Sequence, residues 1–505
     1  MREAERPTTM AGDTSRTRGP IAIQSRAERG AGRGAGRGAG RSALAVVTSL
    51  GLAIAGQAVA RASDSPKSVV TTTLLATYHT DLQRQGYAPK ETTINATNVA
   101  SLTQLWTATA NASSVISGQP TVYNGVAYWG DWSGDEHATS AAGKSLWATP
   151  LGTTYHAGCD PTRAGIASSA TVGIVNGTRV VVTGGGNATV DELNASTGKV
   201  VWDTRIGTQD DGFVWSSPTL YAGSVYVGLA SFGDCPLVAS GLFMLNAATG
   251  AVEHEFKTVP TGCLGGGVWS SPAIDSTENA VFVTTGNTTC STPLQEAMLK
   301  LNASNLSLES SWAVPAGQRV NDSDWGSTPT LFTAEIGGVI VPMVGSADKN
   351  GIFYALNRGD LAKGPIWEYQ VATGGDCPQC GNGSISPAAW DGTTLYVAGG
   401  STTVGSTSCA GSVDALDPAT GQPLWRYCAL IGPVLGGLTE VPGLLFATEG
   451  SELLALYARN GETLFSFGDP STQVFYSGPT VAGGVLYAAD TDGTLFAFAP
   501  PKPTS

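Results

Sequence analysis

Charged side chains are scarce in this 505-residue chain: only 13% of positions carry one, and acids outnumber bases 40 to 27. The net charge of −13 leaves no basic face for a phosphate backbone and argues against nucleic acid as a partner. Histidine is rarer still, with four in all, and Cys377-Pro378-Gln379-Cys380 has no second Cys-x-x-Cys to match it. That combination argues against zinc. Gly381 rather than histidine follows Cys380, so the pair is not a haem attachment site. No amphipathic helical pattern of note follows Leu102. The one long apolar run, from Ala43 to about Ala60, is too short and too rich in Gly and Ala to read as a membrane span.

What the chain does have is glycine, 66 residues of it, and a 42% apolar fraction ample for a packed core. From about Trp106 onward the sequence repeats. Each copy opens with a small-Pro-Thr/Ala strand, as in Ser217-Pro218-Thr219, Thr328-Pro329-Thr330 and Gly478-Pro479-Thr480. An Asn-Gly or Gly-Gly turn leads to a Val-Tyr strand, a third strand ends near Leu-Asn/Asp, and a Thr-Gly turn precedes a strand carrying Trp. The repeat of roughly 45 to 55 residues is that of a four-stranded propeller blade. Eight first strands start near Gln119, Ala167, Ser216, Ser270, Ser327, Ser386, Gly437 and Ser477. The last unit stops after Leu495-Phe496-Ala497-Phe498 without its Trp strand, and Leu105-Trp106-Thr107 has that strand's character. The expected fold is therefore all-β: an eight-bladed β-propeller of four-stranded antiparallel blades, closed by the strand near Trp106 so that no sheet edge stays open.

Residues 1–67 read as an Arg/Gly-rich N-terminus plus an export signal, with Ala58-Val59-Ala60 or Ala60-Arg61-Ala62 as a small-residue cleavage site. An uncleaved anchor is the alternative. Residues 68–103 lead into the ring and 104–500 form it. The protein is expected to be secreted, periplasmic or on the cell surface, and eight cysteines suit an oxidising compartment. Proximity in sequence favours Cys235–Cys263, Cys377–Cys380 and Cys409–Cys428, leaving Cys159 with Cys290.

The repeat resembles the pyrroloquinoline quinone (PQQ) repeat of quinoprotein alcohol dehydrogenases, nearest in character to the polyvinyl-alcohol type. The resemblance runs from Tyr78-His79-Thr80-Asp81 and Thr92 to Val99 through the rest of the chain. It implies a PQQ- and Ca2+-dependent oxidation of a small or polymeric alcohol. With no haem on the chain, electrons pass to an external acceptor such as a cytochrome. Within Gly266-Gly267-Val268-Trp269-Ser270-Ser271-Pro272, Trp269 matches the floor under the planar quinone, although Trp215 sits in a nearly identical Val-Trp-Ser-Ser-Pro context. Asn287, in Thr285-Gly286-Asn287, matches an amide ligand of the metal. In Asn321-Asp322-Ser323-Asp324-Trp325-Gly326, Asp324 matches the catalytic base, with Asp322 second. A carboxylate there is suited to taking a hydroxyl proton. Lanthanide-dependent relatives carry a second Asp where this chain has Gly326, so calcium is favoured.

Lys349, in Asp348-Lys349-Asn350-Gly351, matches the cation at the quinone oxygens. Arg163 falls where a cofactor carboxylate would be met, Ser231 where the cofactor would be touched, and Asp234 is the nearest carboxylate to an expected glutamate ligand. The vicinal cysteine pair common in catalytic relatives is reduced here to Cys159 alone. Because the blade also occurs in non-catalytic proteins, a protein- or polymer-binding scaffold remains the alternative.

Overall fold

The computed structural model describes residues 70–111, 114–208 and 210–501; the N-terminal export reading (1–67) lies outside the described residues. Eight antiparallel sheets follow one another around a ring. The first blade comprises Thr121–Tyr123, Val126–Gly130, Asp135–Ser140 and Ser145–Pro150. Six more span 171–205, 219–257, 273–313, 330–370, 389–429 and 439–468; the third blade gains a short extra strand, Gly212–Phe213, and the blade over 389–429 carries an inserted hairpin, Thr402–Val404 and Thr407–Cys409. Blade 8 has three strands of its own, and its fourth is Thr103–Thr109, antiparallel to Thr494–Ala499 from Thr109↔Thr494 to Thr103↔Ala499. The ring closes as the orphan Trp strand implied. First strands begin two to four residues after the expected starts, because the preceding residues approach along the axial channel.

Local chemistry explains why the repeat motifs form blade junctions. The Thr that opens a first strand, in small-Pro-Thr or its variants, donates its hydroxyl to a carbonyl on the next blade: Thr171 to Pro218, Thr219 to Pro272, Thr439 to Pro479, and Thr480 to Pro120 across the closure. Where an outer strand carries Trp, the indole commonly donates to the following blade, as Trp147 does to the Ala195 carbonyl, Trp202 to that of Ala247, Trp367 to that of Pro418 and Trp425 to that of Ala458. Beneath the ring sits the glycine of the neighbour's Thr-Gly turn. A Cβ on Gly250 would lie 2.6 Å from Trp202, which no side chain tolerates. Trp106 makes the same contact, with Gly143 below it and the Ala141 carbonyl as acceptor. Between each pair of neighbouring blades lies one apolar cluster, for example Val190, Val225 and Phe243 between blades 2 and 3. Inner strands are buried on both faces (Gly241–Asn246), whereas outer strands expose most positions (Val252–Lys257).

The segment ahead of the ring is a plug. Thr72–Ala76 pairs with Thr171–Val175 as a fifth strand of blade 2. The chain then crosses the channel mouth where the first strands end, and bonds to blade after blade. The His79 N–H donates to Gln119 Oε1, Ile274 N–H to the Leu82 carbonyl, Leu331 N–H to that of Gln83, and Trp390 N–H to that of Gln85. Glu440 N–H donates to the Gly86 carbonyl, and the Glu91 carboxylate takes the amides of Gly483 and Gly484. Arg84 is fully buried and donates to Pro272, Tyr78, Thr77 and Thr219. In a propeller the links between second and third strands, and those between blades, all open at the opposite mouth.

Candidate functional site

At that opposite mouth, loops from blades 1 to 6 surround a cavity of about 400 Å³. Two short links bring the central pair together. Asp324 lies between blades 4 and 5, and Lys349 in the turn of blade 5; the Lys349 N–H donates to the Asp324 carbonyl at 3.0 Å. Trp325 anchors this stretch, fully buried against Trp312 and Tyr354. Asp348 fixes the turn by accepting the Asn350 N–H (2.8 Å) and the Ser323 hydroxyl (3.0 Å).

The side chains then converge. Lys349 Nζ sits 2.9 Å from Asp322 Oδ2 and 3.1 Å from Asp324 Oδ2, and 5.3 Å from the centre of the Trp269 ring. Asp324 Oδ1 accepts the Asn287 N–H at 2.6 Å. This approach requires Gly286, where a Cβ would stand 2.3 Å from that oxygen. The Asn287 side-chain amide donates to Asp234 Oδ2 (2.9 Å) and Asp322 Oδ1 (3.0 Å). Gly326 lets Trp269 lie flat against the wall, since a Cβ there would meet the indole at 2.2 Å. Burial first, and then the Asp324 charge, push the Asp322 carboxyl up to about 6. Burial also raises Asp324, against the opposing pull of Lys349. Lys349 itself is held above the ordinary lysine value because the two aspartates outweigh its burial.

The structure thus brings together Trp269, Asn287, Asp322, Asp324, Lys349 and Asp234, drawn from three blades. Ser231 lines the same cavity, its hydroxyl oxygen accepting the Val238 N–H and its carbonyl the Trp215 indole N–H. Arg163 is elsewhere: exposed, stacked 5.2 Å from the Tyr155 ring, bonded to Thr153, and absent from the cavity wall. Residues the motifs did not point to are Asp160, Asp376 and Gln379. The Cys377–Cys380 pair marked the last two as a stapled loop, but nothing local says which way such a loop faces.

Two expected disulfides are corrected. The bonds are Cys159–Cys235 and Cys263–Cys290, with Cα separations of 5.4 and 5.7 Å, alongside Cys377–Cys380 and Cys409–Cys428 as expected. Links between blades and links within a blade crowd one mouth, so Cys235 is nearer a loop 76 residues away than the next cysteine in sequence.

Asp234, Asp322, Asp324 and Asn287 line the cavity with Lys349, and oxygen donors of this kind are what a hard cation takes, while the Asn287 Nδ2 rather than its oxygen faces Asp234 and Asp322. Among the described residues, the group with metal-ligand spacing is Asp131, Asp135 and His137, and it is already satisfied. Asp131 Oδ1 takes the Ser133 and Gly134 N–H groups and Oδ2 takes His137.

A family model described as outer membrane protein assembly factor BamB matches residues 137–307 and 409–501, just over half of the chain. A polyvinylalcohol dehydrogenase from a Pseudomonas species is 24% identical over 364 residues, 58% of this chain and 55% of its own. Quinoprotein alcohol dehydrogenase PedH of Pseudomonas putida is 24% identical over 358 residues, 63% and 58% respectively. The chain spans little more than half the length of these relatives. The solved quinohemoprotein alcohol dehydrogenase from Comamonas testosteroni superposes with a TM-score of 0.66 at 16% identity, over 85% of this chain and 81% of that one. This likeness shows the fold.

Proposed function

The chain belongs to the PQQ-repeat family whose model it matches, and on that footing we propose that it is an exported, PQQ- and calcium-dependent alcohol dehydrogenase of the polyvinyl-alcohol type. The observation that carries the reading is the convergence of Asp324 and Asn287 on Lys349, which itself lies over the Trp269 ring. Trp269 would offer a bound quinone an aromatic face, and Lys349 would hold its oxygens and stabilise negative charge on them. Asn287, Asp324 and Asp234 would hold the calcium, with Asp322 beside them. When bound, the quinone supplies the hydride acceptor. Asp324 takes the alcohol proton: the Asn287 N–H fixes one of its oxygens, and the other shares Lys349 with Asp322.

Complete pairing of the eight cysteines supports export to an oxidising compartment, and the acidic surface suits a basic cytochrome as external electron acceptor. The second reading, a non-catalytic scaffold binding a protein or polymer, is favoured by the BamB description of the family model and by the outward position of Arg163. Reconstitution decides between them. Purified protein incubated with PQQ and calcium should reduce an artificial dye in an alcohol-dependent manner. Failure to bind PQQ with calcium present would leave the scaffold.

A further inference from the structure

The loop that links blades 5 and 6 carries the Cys377–Cys380 disulfide, which the site chemistry described above does not use. Its cysteines are 3 positions apart, whereas the other pairs close spans of 76, 27 and 19 residues. A cross-link restrains the unfolded chain less as its loop shortens, so this bond is the least protected by chain entropy. It is also the accessible one. Cys380 is exposed, while the remaining cysteines are buried or half-buried, and exchange needs a sulphur that a thiolate can reach. The turn holds the pair together without the bond: the Cys380 N–H donates to the Cys377 carbonyl (3.0 Å), Gly381 N–H to that of Pro378 (2.9 Å) and Asn382 N–H to that of Cys377 (3.1 Å).

The same loop is tied to the charged site at two points. On one side the Gly375 N–H donates to the Lys349 carbonyl at 2.9 Å. On the other, Asn321 Nδ2 donates to Asp376 Oδ2 at 3.0 Å, one residue before Asp322. Asp376, Pro378 and Gln379 form part of the cavity wall. With the sulphurs joined, that wall is braced by a short covalent ring. With them apart it rests on backbone bonds at a solvent-facing mouth, where local opening costs little. Asp160, Asp234 and Asp376 at this mouth repel an anionic thiol and leave a neutral or basic one free to approach.

We propose that Cys377–Cys380 is a thiol-exchange site, opened by a neutral or basic dithiol, and that opening it slackens the wall behind Lys349 and Asp322. A thiolate of the dithiol attacks the exposed Cys380 sulphur. The Cys377–Cys380 bond breaks, and Cys377 leaves as a thiolate that takes up a proton. The second thiol of the dithiol then closes its own disulfide and releases Cys380 as a thiol. Two electrons pass from the dithiol to the pair, and a disulfide of the same class reverses the step. The exchange site stands apart from the dehydrogenase reading; its effect on cation binding rests on that reading.

The full chain is tested without cofactor. Limiting dithiothreitol, then iodoacetamide and mass spectrometry, should label Cys377 and Cys380 and leave the other three pairs joined. Dimercaptosuccinate, an anionic dithiol, should open the pair about tenfold more slowly, and the gap should narrow at high salt. Opening should speed amide hydrogen exchange across residues 371–383 and raise the Kd for calcium about tenfold; reoxidation should restore both. The variant carrying Cys377→Ser and Cys380→Ser should match the opened protein and ignore dithiothreitol. Should it not fold, the reduction and reoxidation series decides. Another pair opening first, all four opening together, or unchanged amide exchange over 371–383 overturns the switch, and equal rates with the two dithiols at every salt concentration overturn the choice of reductant. Labelling and amide exchange as expected, with calcium bound in neither state, support the exchange site and remove the metal reading.

Discussion

Blades 5 and 8 make the same turn between their second and third strands, and of the two only blade 5's turn lines the charged cavity. Asp348-Lys349-Asn350-Gly351 and Asp490-Thr491-Asp492-Gly493 share the opening backbone bond, from Asp348 N–H to the Ile352 carbonyl and from Asp490 N–H to that of Thr494. Both end on a left-handed glycine, with φ of 81° and 79°. Both aspartates are fully buried and use one carboxylate oxygen on backbone amides, leaving the other unpartnered. The repeat therefore specifies the aspartate and the glycine. The second position is free of that duty, and it carries Lys349 against Asp322 and Asp324 in blade 5 but Thr491 in blade 8. Chemistry enters a repeat protein at the positions its fold does not need.

The sharpest way to break this comparison is Asp324→Asn. Turnover should fall by about 10²–10⁴-fold, with the circular dichroism spectrum and melting temperature unchanged; an equal loss in Asp490→Asn would show that activity follows folding. Next comes Lys349→Thr, which writes the blade 8 turn into blade 5. Loss of about 10²–10³-fold is expected, while Thr491→Lys should leave kinetics unaltered. Smaller, and the same in both blades, is the cost of removing the shared aspartate. Asp348→Ala and Asp490→Ala should each cost about 1–3 kcal/mol in denaturant unfolding, and a large gap between them would refute the equivalence of the two turns.

The smallest effect is a pH trend. Burial pushes Asp490 up to about 6, Asp348 to about 7 and Glu136 to about 8, all above the unfolded value near 4. Folding therefore takes up protons, and stability is fullest below the unfolded value and declines as pH rises through about 6 to 8. Cofactor-free protein should melt at a higher temperature at pH 5.5 than at pH 8.5. The reverse order would mean that other groups govern the trend.

The repeat made most of the fold legible. Thr hydroxyls, Trp wedges and Thr-Gly turns are local motifs that each form one junction, so their spacing counts the blades, and the missing Trp strand announces the closure by Trp106. Lys349, Asp324, Asn287 and Trp269 were legible because each stands in a short motif of its own. Asp160, Asp376 and Gln379 were not, since a loop's direction depends on what packs behind it.

By itself the sequence determined the blade: alternation, turn residues and the capping Asp and Gly act within a few positions and need no partner farther off. Only the tertiary structure decided what meets across the ring. Neighbours in space there belong to different blades, so chain distance ceases to predict contact. That is why Cys159 pairs with Cys235 rather than Cys290, why Arg163 points out, and why the segment around Arg84 closes the channel. A partner for a buried group is set by the geometry of the closed ring, and no stretch of chain holds that geometry alone.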